Sequence, residues 1–138
     1  MKVYIAASSA PSERARVDAA FAGCRAAGIE VVGDWRESVD ASGANPKDLG
    51  LARAAANADL GAIEKCVALW LLVPEAGGCG CWVELGAALE SARHFALPVV
   101  VASGDVSRSV FLSLCYKRFA SDLEALRYLV ERKDMVSP

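Results

Sequence analysis

Segment 77–86, GGCGCWVELG, brings several kinds of chemistry together in one short stretch. Its glycines leave backbone N–H groups open to an anion, its two cysteines are possible metal ligands, and Glu84 is a possible nucleophile. Cys79 and Cys81 are separated by only one residue, His94 is the single histidine, and no second cysteine pair follows, so the spacing argues against zinc. We therefore expect no metal and no cofactor. Two interpretations of the segment remain, a loop that binds an anion and a carboxylate nucleophile.

Glu84 follows the glycines where the apolar pattern predicts a helix from about residue 82 to 95. A carboxylate in the first turn of a helix is held ionised by the helix dipole and by free N–H groups, which suits a nucleophile. Glutamate also favours first turns for purely structural reasons, so the residues alone leave the two interpretations even. No Gly-Lys-Ser/Thr follows the glycines, which excludes a P-loop.

The segments that must position these residues alternate between short apolar runs and stretches of helical period. The apolar runs are KVYIAAS, IEVVGDW, VALWLLV, PVVVAS and, near the end, CYKRF. This alternation predicts right-handed βαβ units and a mostly parallel five-stranded sheet between two helix layers, a flavodoxin- or Rossmann-like α/β sandwich. We expect a single domain over residues 1–138. Ligands of such sheets bind beyond the carboxyl ends of the strands, where segment 77–86 falls.

Local signals predict where the helices begin and end. The polar residues 36–43 show no period and predict a loop. Asn45 ahead of Pro46 predicts the N-cap and the first residue of the next helix. Ser121 and Glu124 have the spacing of a capping box ahead of the last helix. The predicted apolar face of the helix after Pro46 consists of Leu49, Ala52, Ala56, Leu60 and Ile63.

Composition excludes several classes of function. A net charge of −2 and a pI near 5.4 argue against a protein that grips nucleic acid or an anionic membrane. The longest apolar run is far too short to span a bilayer, and the chain does not start with a signal-peptide pattern. Five cysteines, an odd number in mostly apolar surroundings, are typical of a reducing compartment. We expect a soluble, cytoplasmic protein with free thiols.

Four segments, in order VYIAAS, NADLGAIEKCVALWLLVPEAGG, GCWVELGAAL and LPVVVAS, resemble the nucleoside 2-deoxyribosyltransferase family, which includes nucleotide N-glycoside hydrolases. The likeness extends to about residue 104, and Glu-Leu-Gly after a glycine loop is its most specific part. It implies an enzyme without cofactor that acts on the N-glycosidic bond of a (deoxy)nucleoside or nucleoside 5′-monophosphate. It also implies a homodimer or higher homo-oligomer in which a partner subunit completes each pocket.

The resemblance assigns catalytic roles to three residues. Glu84 attacks C1′ of the sugar and forms a glycosyl-enzyme ester, Tyr4 orients Glu84 by a hydrogen bond, and Asp59 handles a proton or orients the substrate. From the residues alone, Tyr4 is more simply a core aromatic, and Asp59 is as readily a solvated helix residue. Gly78 departs from the family, because the transferases have an aspartate there and the hydrolases tend to have a serine. Ribose or deoxyribose, and transfer or hydrolysis, therefore stay open.

Further candidates are substrate-binding residues. Three serines ahead of the first helix offer donors to a 5′-phosphate, with Arg14 adding charge, but they serve equally well as helix caps. The hydrolase relatives bind phosphate in this loop, which together with Gly78 favours a monophosphate. Two tryptophans lie where a base could stack, and core packing explains them as well. The candidates are Ser8, Ser9, Ser12, Trp35, Gly78, Gly80 and Trp82.

Two alternative functions stay open. GGCGCWVE is similar to the GGxGTxxE signature of phosphoribohydrolases, with Cys81 in the place of the threonine, although their second glycine-rich motif is not found. The other alternative is a nucleotide-binding or sensor module without turnover, in which Glu84 contacts only a ribose hydroxyl.

Overall fold

A computed structural model describes residues 1–136. Within them, five parallel strands form one sheet in the order β2-β1-β3-β4-β5, with five α-helices. The strands are β1 (Lys2–Ala6), β2 (Glu30–Val31), β3 (Ala68–Leu72), β4 (Val99–Ser103) and β5 (Lys117–Phe119). The helices are α1 (Arg14–Ala26), α2 (Trp35–Ser42), α3 (Leu49–Lys65), α4 (Cys79–Phe95) and α5 (Asp122–Val136). This architecture confirms the predicted Rossmann-like three-layer α/β fold.

Alternate residues of the central strand β1 serve the two helix layers. Val3 and Ile5 pack in the core formed with α1 and α5. Tyr4, between them, packs in the second core, formed with α3 and α4. Successive side chains of a strand point to opposite faces, so the position of Tyr4 in the strand directs its ring toward α3 and α4.

Arg16 of α1 joins the carboxyl ends of β3 and β4. Its Nη1 donates to the carbonyl of Val73 at 2.7 Å, and its Nη2 donates to the carbonyl of Ser103 at 3.2 Å. Its Nε lies 2.7 Å from Asp122 at the start of α5. The Ser103 hydroxyl donates to Asp122 and accepts from the indole N–H of Trp70. One guanidinium thereby connects two strands and two helices.

Glu13 fixes the loop that follows β3. Its side chain is buried, and Oε1 accepts from the backbone N–H groups of Glu75 at 2.7 Å and Ala76 at 3.0 Å. Its Oε2 lies 3.6 Å from Arg16. These partners compensate the burial of the carboxylate, so the loop that leads to the glycines is fastened to α1.

Residues 36–43 are mostly helical, and the prediction of a loop there is wrong. The side chain of Asp34 caps α2 by accepting from the backbone N–H of Arg36. Arg36 forms ion pairs with Asp34 and Asp18 and lies 3.7 Å from the ring centroid of Phe21. No residue of α2 is buried. The helix is therefore held by its first residue, which packs against both cores, and beyond that residue mostly by charges on neighbouring segments. Such ion pairs require no apolar period in the sequence of the helix.

Helix α3 begins later than predicted. Its N-cap is Asp48, whose side chain accepts from the backbone N–H of Leu51 at 2.9 Å. Asn45 and Pro46 lie ahead of the helix, in the connection from α2. Asp48 rather than Asn45 is the N-cap because its carboxylate reaches a free backbone N–H of the first turn.

Only the carboxyl-terminal end of α3 is buried. Ala62 and Ile63 lie in the core, whereas Leu49 is 79% exposed and Leu60 is 39% exposed. The predicted apolar face is therefore wrong for most of the helix. The amino-terminal part of α3 stands away from the sheet, which leaves space between it and α2.

Two predicted boundaries near the end of the chain are confirmed. Ser121 and Glu124 form a capping box, in which the Ser121 Oγ accepts from the Glu124 N–H and the Glu124 carboxylate accepts from the Ser121 N–H. The segment CYKRF contains the short edge strand β5.

Replacing Arg16 should destabilise the fold. Arg16→Gln leaves Asp122 without its ion pair and removes a hydrogen bond from each of two carbonyl groups, of which, among residues 1–136, only that of Ser103 keeps another donor, so we expect the free energy of unfolding to fall by about 2–4 kcal/mol. Chemical denaturation measures it. Arg127→Gln, at an exposed position of α5, is the control and should change stability by less than about 0.5 kcal/mol. Equal losses in the two variants would contradict the assignment.

Candidate active site

Tyr4 and Glu84 meet on the α3–α4 side of the sheet. The Tyr4 hydroxyl donates a hydrogen bond to Glu84 Oε1 at 2.8 Å. The other oxygen, Oε2, is buried and has no hydrogen-bond partner among residues 1–136. Buried carboxylate oxygens normally have partners, so an unpaired one requires an explanation. A carboxylate with one oxygen held and one oxygen free is suited to nucleophilic attack.

Glu84 lies in the second turn of α4, because the helix begins at Cys79, about three residues earlier than predicted. The expectation that the helix N-terminus keeps this carboxylate ionised is therefore wrong, since that effect fades beyond the first turn. Burial instead raises the pKa of Glu84 from 4.5 to about 7, against the hydrogen bond from Tyr4 and with a contribution from the charge of Asp59. Near neutral pH, Glu84 exchanges its proton readily.

Asp59 of α3 completes an acidic group around Tyr4. Burial raises the pKa of Asp59, while the Tyr4 hydroxyl opposes the shift. Burial and the two carboxylates raise the pKa of Tyr4 far above its usual value, so its hydroxyl stays protonated and remains a donor. Two carboxyl groups with raised pKa values beside a neutral phenol are an arrangement typical of acid–base sites.

Two adjoining cavities lie beside this group. The smaller, of about 130 Å³, is lined by Glu84, Gly80 and Ser9, among others. The larger, of about 400 Å³, lies between α2 and α3. The residues that line both cavities are Trp35, Ser38, Ala55 and Asp59. Asp59 therefore borders two spaces, only one of which is lined by Glu84.

Trp35 forms a fixed wall of both cavities. Its indole N–H donates to the carbonyl of Ile5 at 2.8 Å, and its ring meets Phe21 edge-on with centroids 6.4 Å apart. The polar edge of the ring is thereby satisfied by β1. Trp35 also packs against both cores, and only the part of its ring that lines the cavities can contact a flat ligand.

Gly78 is required by its backbone conformation. Its φ is +89°, and a Cβ atom would lie 2.7 Å from Pro74 Cγ and 3.1 Å from Cys81 Sγ. Any other residue would therefore be strained and would displace its neighbours. The absence of the transferase aspartate at this position agrees with the local geometry. Gly80, by contrast, has open space where a side chain would project.

The three candidate serines occupy different environments. Ser9 is exposed and lines the smaller cavity. Ser8 is buried, and its Oγ accepts from the backbone N–H of Ala10 at 3.1 Å. Ser12 is exposed and lines neither cavity. The structure brings only Ser9 to the site.

Arginines near the site are engaged elsewhere. Arg14 forms ion pairs with Asp18 at 3.0 Å and Asp40 at 2.7 Å, and Arg36 pairs with Asp34 and Asp18. Within residues 1–136, no lysine, arginine or histidine lines either cavity. An anion would depend on backbone N–H groups, such as those at the start of α4, which has no side-chain cap.

Trp82 lies away from the site. It lines a separate cavity of about 340 Å³ together with Leu85 and Phe111. Because residues two apart on a helix project in nearly opposite directions, Trp82 and Glu84 cannot face the same cavity. Trp35 is the one predicted tryptophan that the structure places beside Glu84 and Asp59.

Sequence reasoning missed the residues that close the smaller cavity. Ser38 and Val39 of α2 contribute to its wall, as do Gly43, Ala44 and Pro46 from the connection to α3. Their position just after the carboxyl end of β2 was the available signal. The absence of an apolar period concealed the helix that carries the first two.

All five cysteines are free, and Cys79 is the exposed one. Cys81 is buried, and its Sγ donates to the carbonyl of Gly78 at 3.0 Å. In the part of the chain that the structure describes, no cluster of three or more His, Cys, Asp or Glu side chains is placed to hold a metal ion. The two thiols of segment 77–86 therefore face different surroundings.

Comparison with known proteins supplies no family. The sequence matches no protein-family model and no curated protein at a significant level. A functional assignment must therefore rest on the motifs and on the geometry of the site.

Glu84→Gln should stabilise the protein in a pH-dependent way. In the folded protein the pKa of Glu84 exceeds its ordinary value, so the unfolded chain loses the Glu84 proton first as pH rises. The stability of the wild type therefore falls between pH 4.5 and about pH 7. The variant lacks this penalty. Its advantage in unfolding free energy should grow from near zero at about pH 4 to about 3 kcal/mol at about pH 8.5, measured by denaturation.

Glu90→Gln provides the matched control on the same helix. Glu90 is exposed, and His94 and Arg93 lower its pKa. Its replacement should bring no advantage that increases with pH. A Glu84→Gln variant whose advantage is independent of pH would contradict the raised pKa of Glu84.

Proposed function

We propose that the protein cleaves or transfers at the N-glycosidic bond of a nucleoside, with Glu84 as the nucleophile. The observation that carries this proposal is the Glu84 carboxylate, with one oxygen held by Tyr4 and the other buried without a partner. Attack on the anomeric carbon requires such an oxygen, since an anionic carboxylate stabilises positive charge on the sugar and then forms an ester. The resemblance of GCWVELGAAL to the nucleoside 2-deoxyribosyltransferase family supports the same residue.

The reaction proceeds in two displacements at C1′. Glu84 Oε2 forms a bond to C1′ as the bond from C1′ to the base nitrogen breaks, and the electron pair leaves with the base. The two carboxyl groups hold one proton between them, and the form that reacts has Asp59 protonated and Glu84 ionised; Asp59 donates this proton to the departing base. Water or a second base then attacks C1′, its proton passes to Asp59, and the Glu84 carboxylate is released.

The two cavities divide the substrate between them. The sugar occupies the smaller cavity beside Glu84, and the base occupies the larger cavity between α2 and α3, against Trp35. Asp59 borders both, which is the position that a proton donor to the glycosidic nitrogen must have. Tyr4 keeps Glu84 oriented throughout, because its hydroxyl remains protonated.

The charges of the site favour a free nucleoside over a 5′-monophosphate. Asp59 and Glu84 are acidic, and among residues 1–136 no side-chain cation lines the two cavities. Ser8 is buried in its own turn, and Arg14 is paired with aspartates. This reverses the preference drawn from the serines and from Gly78 in the sequence.

We further propose that the chain forms a homo-oligomer, with a dimer as its simplest form, through α3 and α4. A groove of about 640 Å³ between the helices is lined by Leu60, Phe95 and Leu97, which are all exposed. Exposed apolar patches of this kind mark protein interfaces. The groove shares no lining residue with the two cavities, although Asp59 and Glu84 belong to the same two helices.

A reducing cytoplasm is the compartment that we propose. The five free cysteines support it. Within residues 1–136, none of the helices has both the length and the apolar character needed to cross a bilayer.

Removing the nucleophile should abolish base release. Wild-type protein incubated with a panel of nucleosides should release free base, measured by chromatography, and Glu84→Gln should do so at least about a thousandfold more slowly. The rate should fall as pH rises above about 7, because the pair then loses the one proton that Asp59 must donate. Mass spectrometry of the quenched wild-type reaction should place the sugar on the peptide that contains Glu84.

Glu90→Gln, on the same helix, should retain the wild-type rate. Asp59→Asn should lower kcat about a hundredfold or more with little change in KM, since it removes a proton donor. An active Glu84→Gln variant would overturn the proposal. Saturable nucleoside binding without release by the wild type would identify a sensor module instead.

Substrate charge should have a measurable effect. We expect the kcat/KM for a nucleoside to exceed that for its 5′-monophosphate, because the cavity walls repel a dianion. Both are compared on the wild type and on Ser9→Ala, the serine at the smaller cavity. A higher value for the monophosphate that is lost in Ser9→Ala would show that the first loop binds phosphate.

A further inference from the structure

A separate cavity lies at the amino end of the sheet, remote from Glu84 along α4. Its volume is about 440 Å³, within the range of small-molecule sites, and most of its lining is apolar. Leu89 and Ala92 of α4 form one wall, and Leu114 and Tyr116, ahead of β5, form another. It shares no lining residue with the two active-site cavities.

Arg132 of α5 contributes a positive charge to this cavity. Its Nε is buried and has no hydrogen-bond partner in the described part of the chain. Its Nη1 reaches the Tyr128 hydroxyl only at 3.4 Å, and its guanidinium lies 5.7 Å from the ring centroid of Tyr116. An unsatisfied donor of a charged group in apolar surroundings is costly. An acceptor supplied from outside would remove that cost.

Arg93 adds a second positive charge on the wall of the cavity. Its side chain is 73% exposed, and its ion pair with Glu90 lies on the surface, where such pairs contribute little. Among residues 1–136, no aspartate or glutamate lines the cavity. The site is therefore apolar in its walls and positive in its charge.

We propose that this cavity binds an organic carboxylate with a flat apolar body. The carboxylate accepts from Nε and an Nη of Arg132, the side-on bidentate geometry that guanidinium offers. The apolar body lies against Leu89 and Leu114, and Tyr116 contributes an aromatic surface. A phosphate group suits the cavity less well, since the walls supply few donors beyond the arginines. The site is independent of the proposed glycosidic activity.

Calorimetry with 2-naphthoate tests the proposal. We expect saturable binding with a Kd below about 1 mM, and at least tenfold weaker binding of the neutral analogue 2-naphthamide. Arg132→Gln should weaken naphthoate binding at least tenfold, whereas Arg127→Gln, on the exposed surface of the same helix, should leave it unchanged. In the wild type, the Nε–H resonance of Arg132 should shift on titration.

Two further variants locate the ligand. Ala92→Leu should fill the cavity and abolish binding without removing a charge, and Glu84→Gln should bind naphthoate as the wild type does. The proposal is overturned if the wild type shows no saturable binding, if the amide binds as tightly as the acid, or if the Arg132 and Arg127 variants behave alike. It is also overturned if Ala92→Leu binds normally or Glu84→Gln loses binding. Melting temperatures of the variants establish that each is folded.

Discussion

The ion pair between Arg16 and Asp122 is the interaction on which the arrangement of the site depends. The same guanidinium holds the ends of β3 and β4 and lies beside Glu13, which fastens the backbone of the loop after β3. That loop leads into the glycines and then α4, so the placement of Glu84 derives from contacts made by α1. Tyr4 is fixed separately by the central strand. The hydrogen bond between Tyr4 and Glu84 thus joins two independently anchored parts of the fold.

Ion pairs are concentrated in α1 and α2 and are absent, among residues 1–136, from Asp59 and Glu84. The arginines of α1 and α2 pair with aspartates on the same or neighbouring segments, which holds α2 against α1. Asp59 and Glu84, in contrast, share only the Tyr4 hydroxyl and lack a cationic partner among residues 1–136. Pairing elsewhere supports the fold, whereas burial without a cationic partner leaves these two carboxyl groups with raised pKa values.

Burial determines which parts of the structure could be predicted. All five residues of β3 are buried, so its sequence is continuously apolar and its position is evident. Helix α2 was missed because, beyond its first residue, its contacts are mostly ionic, and ion pairs leave no periodic pattern. Glu84 was found as a candidate, but its turn was misplaced because Cys79 and Gly80 have little intrinsic helix preference. The pairing of Glu84 with Tyr4 came from resemblance, since distant contacts cannot be derived from spacing.

The conformation of Gly78 restricts how the candidate site can evolve. A side chain at this position meets the ring of Pro74 and the thiol of Cys81, so an acidic residue is admitted only after at least one neighbour has changed. The first substitution, whether at Gly78 or at one of its neighbours, lowers stability before the second can make room for the acidic side chain. Selection for a different ligand would therefore act first on positions with free space, such as Gly80 at the edge of the smaller cavity. Substitutions that change the cavity are therefore expected at Gly80, within α4, before they are expected at Gly78.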